Sequence, residues 1–182
     1  MNKNRRILTV PNLMTLTRLV LLGPILWCLA RELRWWVLFW GMIGIVTDLL
    51  DGWAARRLNQ SSDLGRLMDP AVDKIMVLAV TLYMSLSPHY SFPLWYFIFE
   101  LVRESVLMLG GLVAVRKKHK VMESQKPGKW SAFVTGIMVV LFIIDFQPAA
   151  WIMLWISLAL TVFSTFHYGK RFIRVMKQTA PV

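Results

Sequence analysis

Six apolar stretches divide the chain, and their lengths constrain its fold more than any other feature of the sequence. They run from Leu16 to Ala30, Trp35 to Leu50, Ile75 to Leu86, Phe92 to Val115, Phe133 to Phe146 and Ala149 to Phe166. A helix that crosses a bilayer needs about 20 mainly apolar residues, and 57% of the 182 residues are hydrophobic while only 17% are charged. Because a soluble domain rarely has this composition, the sequence predicts an all-α integral membrane protein. We expect a single domain over residues 1–182, with six transmembrane helices and a short amino-terminal cytoplasmic arm, Met1 to Val10.

The basic residues predict the orientation of the spans. The chain has 21 Lys and Arg against 10 Asp and Glu, and most of the basic residues, Arg18 among them, fall on one side if the amino terminus is cytoplasmic. The positive-inside rule then gives both termini and the second and fourth connections to the cytoplasm, at the inner membrane if the source is bacterial. A net charge of +11 along one membrane face favours membrane lipids and phosphate-bearing substrates. Without a recognition motif it disfavours nucleic acid.

Four aspartates form the predicted chemical centre. Asp48 and Asp51 lie three residues apart at the cytoplasmic end of the second predicted span, and Asp69 and Asp73 lie four apart at that of the third. Each spacing places both carboxylates on one helix face, and a short connection between antiparallel spans lets the two faces meet. Oxygen ligands suit Mg²⁺ or Mn²⁺, and four carboxylates can hold two such ions. The alternative is that these acids only pair with nearby basic side chains, namely Arg56, Arg57, Arg66 and Lys74.

Small residues accompany the aspartates on the same helix faces. Gly52, Ala55 and Gly65 leave room for a nucleotide base or a diphosphate to approach the backbone. Arg56, next to Ala55, can reach a phosphate group beside the metal ions. The alternatives are close helix packing for the small residues and an ordinary helix-end arginine for Arg56. Together with the acids, these residues predict a binding pocket.

One fixed pattern connects these residues, because Asp-x2-Asp-Gly-x2-Ala-Arg-x8-Gly-x3-Asp-x3-Asp runs from Asp48 to Asp73. The pattern resembles the signature of the CDP-alcohol phosphotransferase family, with every fixed residue present. The approach to the first span, Pro11 to Arg18, is also similar to the beginning of family members. The resemblance fits the whole short chain and implies a six-helix fold. It also implies transfer of a phosphatidyl group from CDP-diacylglycerol to an alcohol, with release of CMP.

The resemblance implies a role for each residue of the site. Asp48, Asp51 and Asp69 would hold the metal ions, and Asp73 would lie at the same site and act as the base. The nucleotide pocket and the diphosphate contacts would come from Gly52, Ala55, Gly65, Arg56, Asn12 and Thr15. On chemical grounds Asp73 can serve as the base only if the metals hold it less tightly than the other three carboxylates. Family members are commonly homodimers, and Gly110-Gly111 could let a second subunit approach the fourth span.

The acceptor alcohol is indicated by weaker features. Asp69 to Lys74 resembles the phosphatidylglycerophosphate synthase and cardiolipin synthase branch of the family, so glycerol 3-phosphate is the expected acceptor and phosphatidylglycerol the alternative. The second anionic group of glycerol 3-phosphate would need cations, and the candidates are Arg103, Arg116, Lys117, Lys126 and Lys129. Alternatively, Arg103 forms an ion pair with Glu100 and Glu104 within the fourth span, and the other four belong to an ordinary positive-inside loop.

Two further functions are weaker alternatives. A divalent-cation transporter would also use acidic residues within the membrane, but it would distribute them through the membrane depth, whereas here they cluster at one end. A structural membrane scaffold would leave the free-energy cost of grouped carboxylates unexplained. The clustering therefore favours an enzyme.

Overall fold

Six helices account for nearly all of the described chain in the computed structural model, which describes residues 10–57, 63–118 and 126–177. Side chains are described over residues 17–47, 72–111, 113 and 128–174. The helices are α1 (Val10–Ala30), α2 (Arg34–Arg57), α3 (Asp63–Leu86), α4 (Leu94–Lys118), α5 (Lys126–Ile143) and α6 (Gln147–Lys177). Those described ranges contain no β-strand. Over these ranges the predicted all-α architecture with six helices is confirmed.

α6 contains the segment best suited to cross a bilayer. Over Gln147–Arg174 it is 28 residues long and apolar enough to span a membrane by itself. Three other apolar helical segments in the described ranges are shorter: Thr17–Ala30, Arg34–Thr47 and Gly128–Ile143. Among the described residues one helix is therefore a clear span candidate, and the six predicted spans stay a prediction.

Two backbone hydrogen bonds close the C-terminal end of α1. The amide of Leu33 donates to the carbonyl of Cys28 at 2.9 Å, and the amide of Glu32 donates to that of Leu29 at 3.1 Å. Glu32 has a left-handed backbone with a φ of 57°. These features define a Schellman motif, which satisfies the last carbonyls of a helix. α2 then begins at Arg34, so the break between the two helices agrees with the connection from Arg31 to Arg34 that the gap between the first two apolar stretches predicts.

The turn between α5 and α6 lies earlier than the sequence predicts. The gap between the fifth and sixth apolar stretches predicts a turn at Gln147 and Pro148. However, α6 already begins at Gln147, and the left-handed residue of the turn is Asp145, with a φ of 63°. Pro148 falls in the first turn of α6, where its missing amide costs no helical hydrogen bond. Gln147 Nε2 donates to Asp145 Oδ1 at 2.7 Å. Proline therefore begins a helix here, and the predicted turn position was wrong by a few residues.

Residues Met1–Ser91 form the first of two compact units. In this unit α1 packs against both α2 and α3. The buried residues Leu21, Ile25 and Leu29 recur at helical spacing along one face of α1. The connection after α3 closes on the end of α1, because the buried Tyr90 hydroxyl donates to the Leu29 carbonyl at 2.8 Å. α1 is therefore the packing partner of both helices that carry the predicted signature.

Residues Phe92–Val182 form the second unit, in which α6 packs against α5 and α4. Hydroxyl groups lie inside this core. The Oγ of buried Ser157 is 2.8 Å from Tyr96 Oη and 2.7 Å from Thr135 Oγ1, and Ser131 Oγ is 3.1 Å from Thr161 Oγ1. Side-chain hydrogen bonds of this kind join helices in an apolar environment. Polar contacts therefore connect α6 to both of its neighbours.

Gly110 and Gly111 of α4 face α6 of the same chain. A β-carbon at Gly111 would lie 3.7 Å from the Tyr168 hydroxyl, and one at Gly110 would lie 4.0 Å from the Phe172 ring. Small residues allow helices to approach closely, as the sequence predicts for this pair. The approaching helix is α6, however, so this face of the glycine pair is already occupied within the chain.

Candidate active site

All eight fixed residues of the signature lie in helices. Five lie towards the end of α2 and three in the first half of α3, so the helical conformation predicted for both segments is present. Asp73 is the member whose side chain the structure describes. For the other predicted site residues near these helices the structure describes the helical backbone only: Asp48, Asp51, Gly52, Ala55, Arg56, Gly65 and Asp69, together with Asn12 and Thr15 in the first turns of α1.

Asp73 forms a short ion pair with an arginine of α1. Arg18 Nη1 donates to Asp73 Oδ1 at 2.6 Å. The side chain of Arg18 is only 8% exposed, whereas that of Asp73 is 55% exposed. Charge-assisted hydrogen bonds are among the strongest that proteins make. The contact therefore connects an embedded cation to an accessible carboxylate of the signature.

Arg18 lies on the core face of α1. It is in helical register with the buried residues Leu21, Ile25 and Leu29, so the periodicity of the helix turns its side chain inward. A buried arginine without an opposite charge is strongly destabilising, and Asp73 supplies that charge. From sequence, Arg18 is only a cytoplasmic positive charge and the last residue of the approach that resembles family members, and its contact with Asp73 is missed. The signal that could have indicated it is a lone arginine in register with apolar core positions.

The donor chemistry of the site fits a hard divalent cation. Asp73 presents a half-exposed carboxylate, the ligand type that Mg²⁺ and Mn²⁺ prefer, and the other three predicted ligands are also aspartates. Among the side chains that the structure describes, no three His, Cys, Asp or Glu residues come together as a metal site. Asp48, Asp51 and Asp69 lie outside that set. The fit to a metal therefore rests on one described ligand and on the residue types of the other three.

A second arginine with little exposure, Arg103, lies in the second unit. Its Nη1 donates to Glu100 Oε2 at 3.1 Å and to Glu104 Oε1 at 2.8 Å, and its Nε donates to Thr165 Oγ1 at 3.0 Å. The three charged side chains are 12%, 13% and 15% exposed. Because two carboxylates share one guanidinium, the positive charge is balanced within the cluster. This geometry supports the ion-pair alternative for Arg103 over direct binding of an anionic acceptor.

The other acceptor candidates flank the connection between α4 and α5. Arg116 and Lys117 lie at the end of α4, and Lys126 and Lys129 lie in the first turn of α5. The Lys129 side chain is exposed, and those of the other three lie outside the described set. Four cations are thus grouped along the chain at one end of these two helices, where they can attract a phosphate group.

Residues 8–163 match the family described as CDP-alcohol phosphatidyltransferase. The match covers most of the chain, includes every fixed residue of the signature and extends through both units. The chain belongs to this family. The resemblance that the signature indicates is therefore confirmed.

Several members of the CDP-alcohol phosphatidyltransferase family are similar to the chain. A cardiolipin synthase (CMP-forming) of Streptomyces coelicolor is 35% identical over 120 residues, which cover 63% of this chain and 54% of that protein. A CDP-diacylglycerol--glycerol-3-phosphate 3-phosphatidyltransferase of Aquifex aeolicus is 33% identical over 129 residues, 70% of each chain. A probable phosphatidylglycerophosphate synthase of Mycobacterium tuberculosis is 26% identical over 181 residues, 93% of this chain and 84% of that protein. The chain thus spans about half the length of the Streptomyces relative.

Membership of the CDP-alcohol phosphatidyltransferase family groups the chain with transferases of phospholipid biosynthesis. The family is membrane-associated, and the apolar Gln147–Arg174 segment agrees with that location. Its members generally use a divalent metal ion, CDP-diacylglycerol and an alcohol acceptor. Both acceptor branches that the sequence suggests are represented among the relatives.

Proposed function

We propose that the chain is a metal-dependent transferase that moves the phosphatidyl group of CDP-diacylglycerol to glycerol 3-phosphate and releases CMP. One observation carries the proposal: the family match over residues 8–163 contains the complete signature, placed on α2 and α3, with Asp73 accessible at its end. The Aquifex relative, which is named for this donor and this acceptor, adds support.

The proposed reaction replaces one oxygen at phosphorus by another. The hydroxyl oxygen of the acceptor forms a bond to the phosphorus that carries diacylglycerol, and the bond from that phosphorus to the bridging oxygen of the diphosphate breaks. The electron pair of the broken bond stays with CMP, which leaves as a phosphate monoester. The hydroxyl proton passes to the Asp73 carboxylate, which acts as general base.

Four aspartates would hold the metal in this proposal: Asp48, Asp51, Asp69 and Asp73. Two bound Mg²⁺ or Mn²⁺ ions would neutralise the charge of the diphosphate and orient the leaving group. Asp73 can accept a proton only while the other three carboxylates hold the ions more tightly. Of the four aspartates, three would therefore only bind metal, and Asp73 would both bind metal and accept the proton.

Smaller residues would bind the rest of the donor. The absence of large side chains at three signature positions leaves space for the cytidine and the diphosphate to approach the backbone, and an arginine fork matches phosphate oxygens. The residues assigned to these contacts are Gly52, Ala55, Gly65, Arg56, Asn12 and Thr15.

The acceptor brings a second anionic group, which the cations at the ends of α4 and α5 would bind. These are Arg116, Lys117, Lys126 and Lys129. Arg103 belongs to the predicted acceptor set as well, although its glutamate partners favour the ion-pair role. The second candidate function uses phosphatidylglycerol as acceptor, and the Streptomyces relative, named as a cardiolipin synthase, favours it.

The proposed enzyme crosses the membrane six times, works as a homodimer and opens its site to the cytoplasm. Its donor and acceptor chemistry requires contact with both a lipid and a water-soluble alcohol, which a site at a membrane face provides. The distribution of Lys and Arg supports the cytoplasmic face. The metal-site aspartates then lie where α2 ends and α3 begins.

The acceptor is tested by offering purified protein, CDP-diacylglycerol and Mg²⁺ one alcohol at a time. The panel contains glycerol 3-phosphate, phosphatidylglycerol, inositol phosphate and serine, and both CMP and the lipid product are measured. We expect phosphatidylglycerophosphate from glycerol 3-phosphate. Cardiolipin from phosphatidylglycerol would select the second function, and no lipid product from any acceptor would refute the transfer.

The metal site is tested by Asp69→Asn and Asp73→Asn. Each removes a ligand charge, and we expect CMP release to fall by about 100-fold or more. EDTA should stop turnover of the unmodified protein, and added Mg²⁺ or Mn²⁺ should restore it. Asp145→Asn is the control, because Asp145 is an exposed acid in the α5–α6 turn outside the signature, and it should keep full activity. Unimpaired CMP release by Asp69→Asn would contradict the assignment.

A further inference from the structure

Arg18 of α1 contacts the signature residue Asp73 of α3. We propose that Arg18 is a positioning residue, which holds the Asp73 carboxylate in the orientation that the metal site requires. The proposal rests on the proposed function, because it takes Asp73 as a metal ligand. It adds to the four predicted metal ligands of α2 and α3 a residue of α1 that acts on one of them.

The unequal burial of the two side chains indicates that Arg18 orients Asp73 and not the reverse. The Arg18 side chain is 8% exposed, so the packing of α1 against α3 holds it in place. The Asp73 side chain is 55% exposed, and an exposed aspartate keeps most of its rotamer freedom unless a contact restricts it. The 2.6 Å hydrogen bond from Arg18 Nη1 to Asp73 Oδ1 provides that restriction. The arginine is therefore the fixed partner and the carboxylate the oriented one.

The geometry of arginine suits this task. Its guanidinium is a planar, pre-organised fork that defines the direction of a carboxylate, whereas lysine carries a rotatable point charge. Residues that orient metal ligands from outside the coordination sphere usually matter: their substitution lowers metal affinity or activity by about 10–100-fold. A positioning role for Arg18 predicts a loss in that range.

Two other roles predict different results. A purely electrostatic effect has the opposite sign, because removing a cation beside a metal site relieves repulsion and strengthens metal binding. A direct contact between Arg18 and the diphosphate would change nucleotide binding but leave metal binding without nucleotide unchanged. Metal affinity measured without substrate therefore separates all three roles.

The experiment measures Mn²⁺ affinity by electron paramagnetic resonance on purified full-length protein without nucleotide or acceptor. Arg18→Gln is expected to weaken Mn²⁺ binding by about 10–100-fold, and Arg18→Lys by a smaller factor within that range. Arg31→Gln is the control, because Arg31 is an exposed arginine in the turn after α1 and has no place in the proposed site, and its Mn²⁺ affinity should equal that of the unmodified protein. Size-exclusion profiles establish that each variant is folded, and Arg18→Lys decides the question if Arg18→Gln does not fold.

A double variant tests whether Arg18 acts through Asp73. Adding Arg18→Gln to Asp73→Asn should weaken Mn²⁺ binding no further than Asp73→Asn alone, because the oriented carboxylate is already removed. Unchanged or tighter Mn²⁺ binding by both Arg18 variants, or full additivity in the double variant, would overturn the inference. If Asp69→Asn and Asp73→Asn themselves keep normal Mn²⁺ affinity and CMP release, the proposed function fails instead.

Discussion

Buried arginines show how single residues shape this chain. Arg18 and Arg103 have side chains that are 8% and 12% exposed, and each contacts a carboxylate. Their partners differ, because Asp73 is 55% exposed whereas Glu100 and Glu104 are 13% and 15% exposed. An accessible carboxylate can meet a metal or a substrate, whereas the two glutamates of the closed cluster mainly compensate the charge of the enclosed arginine. The same residue type therefore contacts an accessible signature carboxylate in the first unit and a closed pair of glutamates in the second.

Arg103→Met tests the stabilising role of the closed cluster. The substitution leaves Glu100 and Glu104 buried without the arginine cation, and we expect a loss of about 3–5 kcal/mol in the free energy of unfolding. Thermal unfolding followed by tryptophan fluorescence measures it. Arg31→Met is the control, because Arg31 is exposed in the turn after α1, and it should change stability by less than about 0.5 kcal/mol. Equal unfolding temperatures for the two variants would contradict a stabilising ion cluster.

Tyr90 is a single residue whose contribution to folding stability should depend on pH. Burial raises the pKa of Tyr90 above its ordinary value of 10.0, with smaller increases from Tyr83 and Glu32 and a decrease from Arg34. Because the pKa of Tyr90 is raised in the folded state, the stabilising contribution of its protonated hydroxyl is complete below pH 10.0. That contribution is lost as pH rises through the folded pKa. The unmodified protein should therefore lose stability in alkali more steeply than Tyr90→Phe.

The Tyr90 comparison uses unfolding temperatures between about pH 8 and pH 11. Near pH 8, Tyr90→Phe should be less stable by about 1 kcal/mol, because the hydrogen bond to the Leu29 carbonyl is lost. The difference should shrink above pH 10.0. Curves that stay parallel over the whole range would show that Tyr90 does not titrate with folding.

At the scale of helices, the α1–α2 and α5–α6 connections fall where charged or turn-forming residues interrupt an apolar run. The sequence predicts the connection after the first helix correctly, because Arg31, Glu32 and Arg34 break the apolar pattern there. It misplaces the α5–α6 turn, because Pro148 suits both a turn and the first turn of a helix. The deciding feature is the left-handed Asp145, and a non-glycine residue in that conformation gives a weak sequence signal.

The hydroxyl contacts between helices also act at this scale. Ser157 of α6 bonds to Tyr96 of α4 and Thr135 of α5, so Ser157→Ala should lower the free energy of unfolding by about 1 kcal/mol. Ser105→Ala is the matched control, because that exposed hydroxyl donates only within its own helix, to the Leu101 carbonyl at 2.8 Å. Denaturation in a graded series of harsh detergent measures both. A Ser105→Ala loss as large as that of Ser157→Ala would contradict an interhelical role.

At the scale of the whole molecule, the sequence predicts the family and the residue types of the site but not the contacts between helices. The signature is recognisable because its fixed residues lie within one local stretch, from Asp48 to Asp73. The contact from Arg18 to Asp73 crosses 55 positions of the chain, and no local pattern records it. Such a pair depends on how α1 packs against α3, which only tertiary structure specifies.

The predicted orientation of the whole chain can be tested with single cysteines. Cys28 is the only cysteine and is buried, so Cys28→Ala gives a background without accessible thiols. Lys129 and Asp145 are exposed and lie before and after the apolar length of α5. Because positive charge favours the cytoplasmic side, Asp145→Cys should react with a membrane-impermeant maleimide in intact cells, and Lys129→Cys only after lysis. Glu32→Cys, in the exposed turn after α1, should behave like Asp145→Cys if the chain crosses six times. Labelling of Lys129→Cys from outside would place the cations that we propose bind the acceptor on the wrong side for a cytoplasmic site.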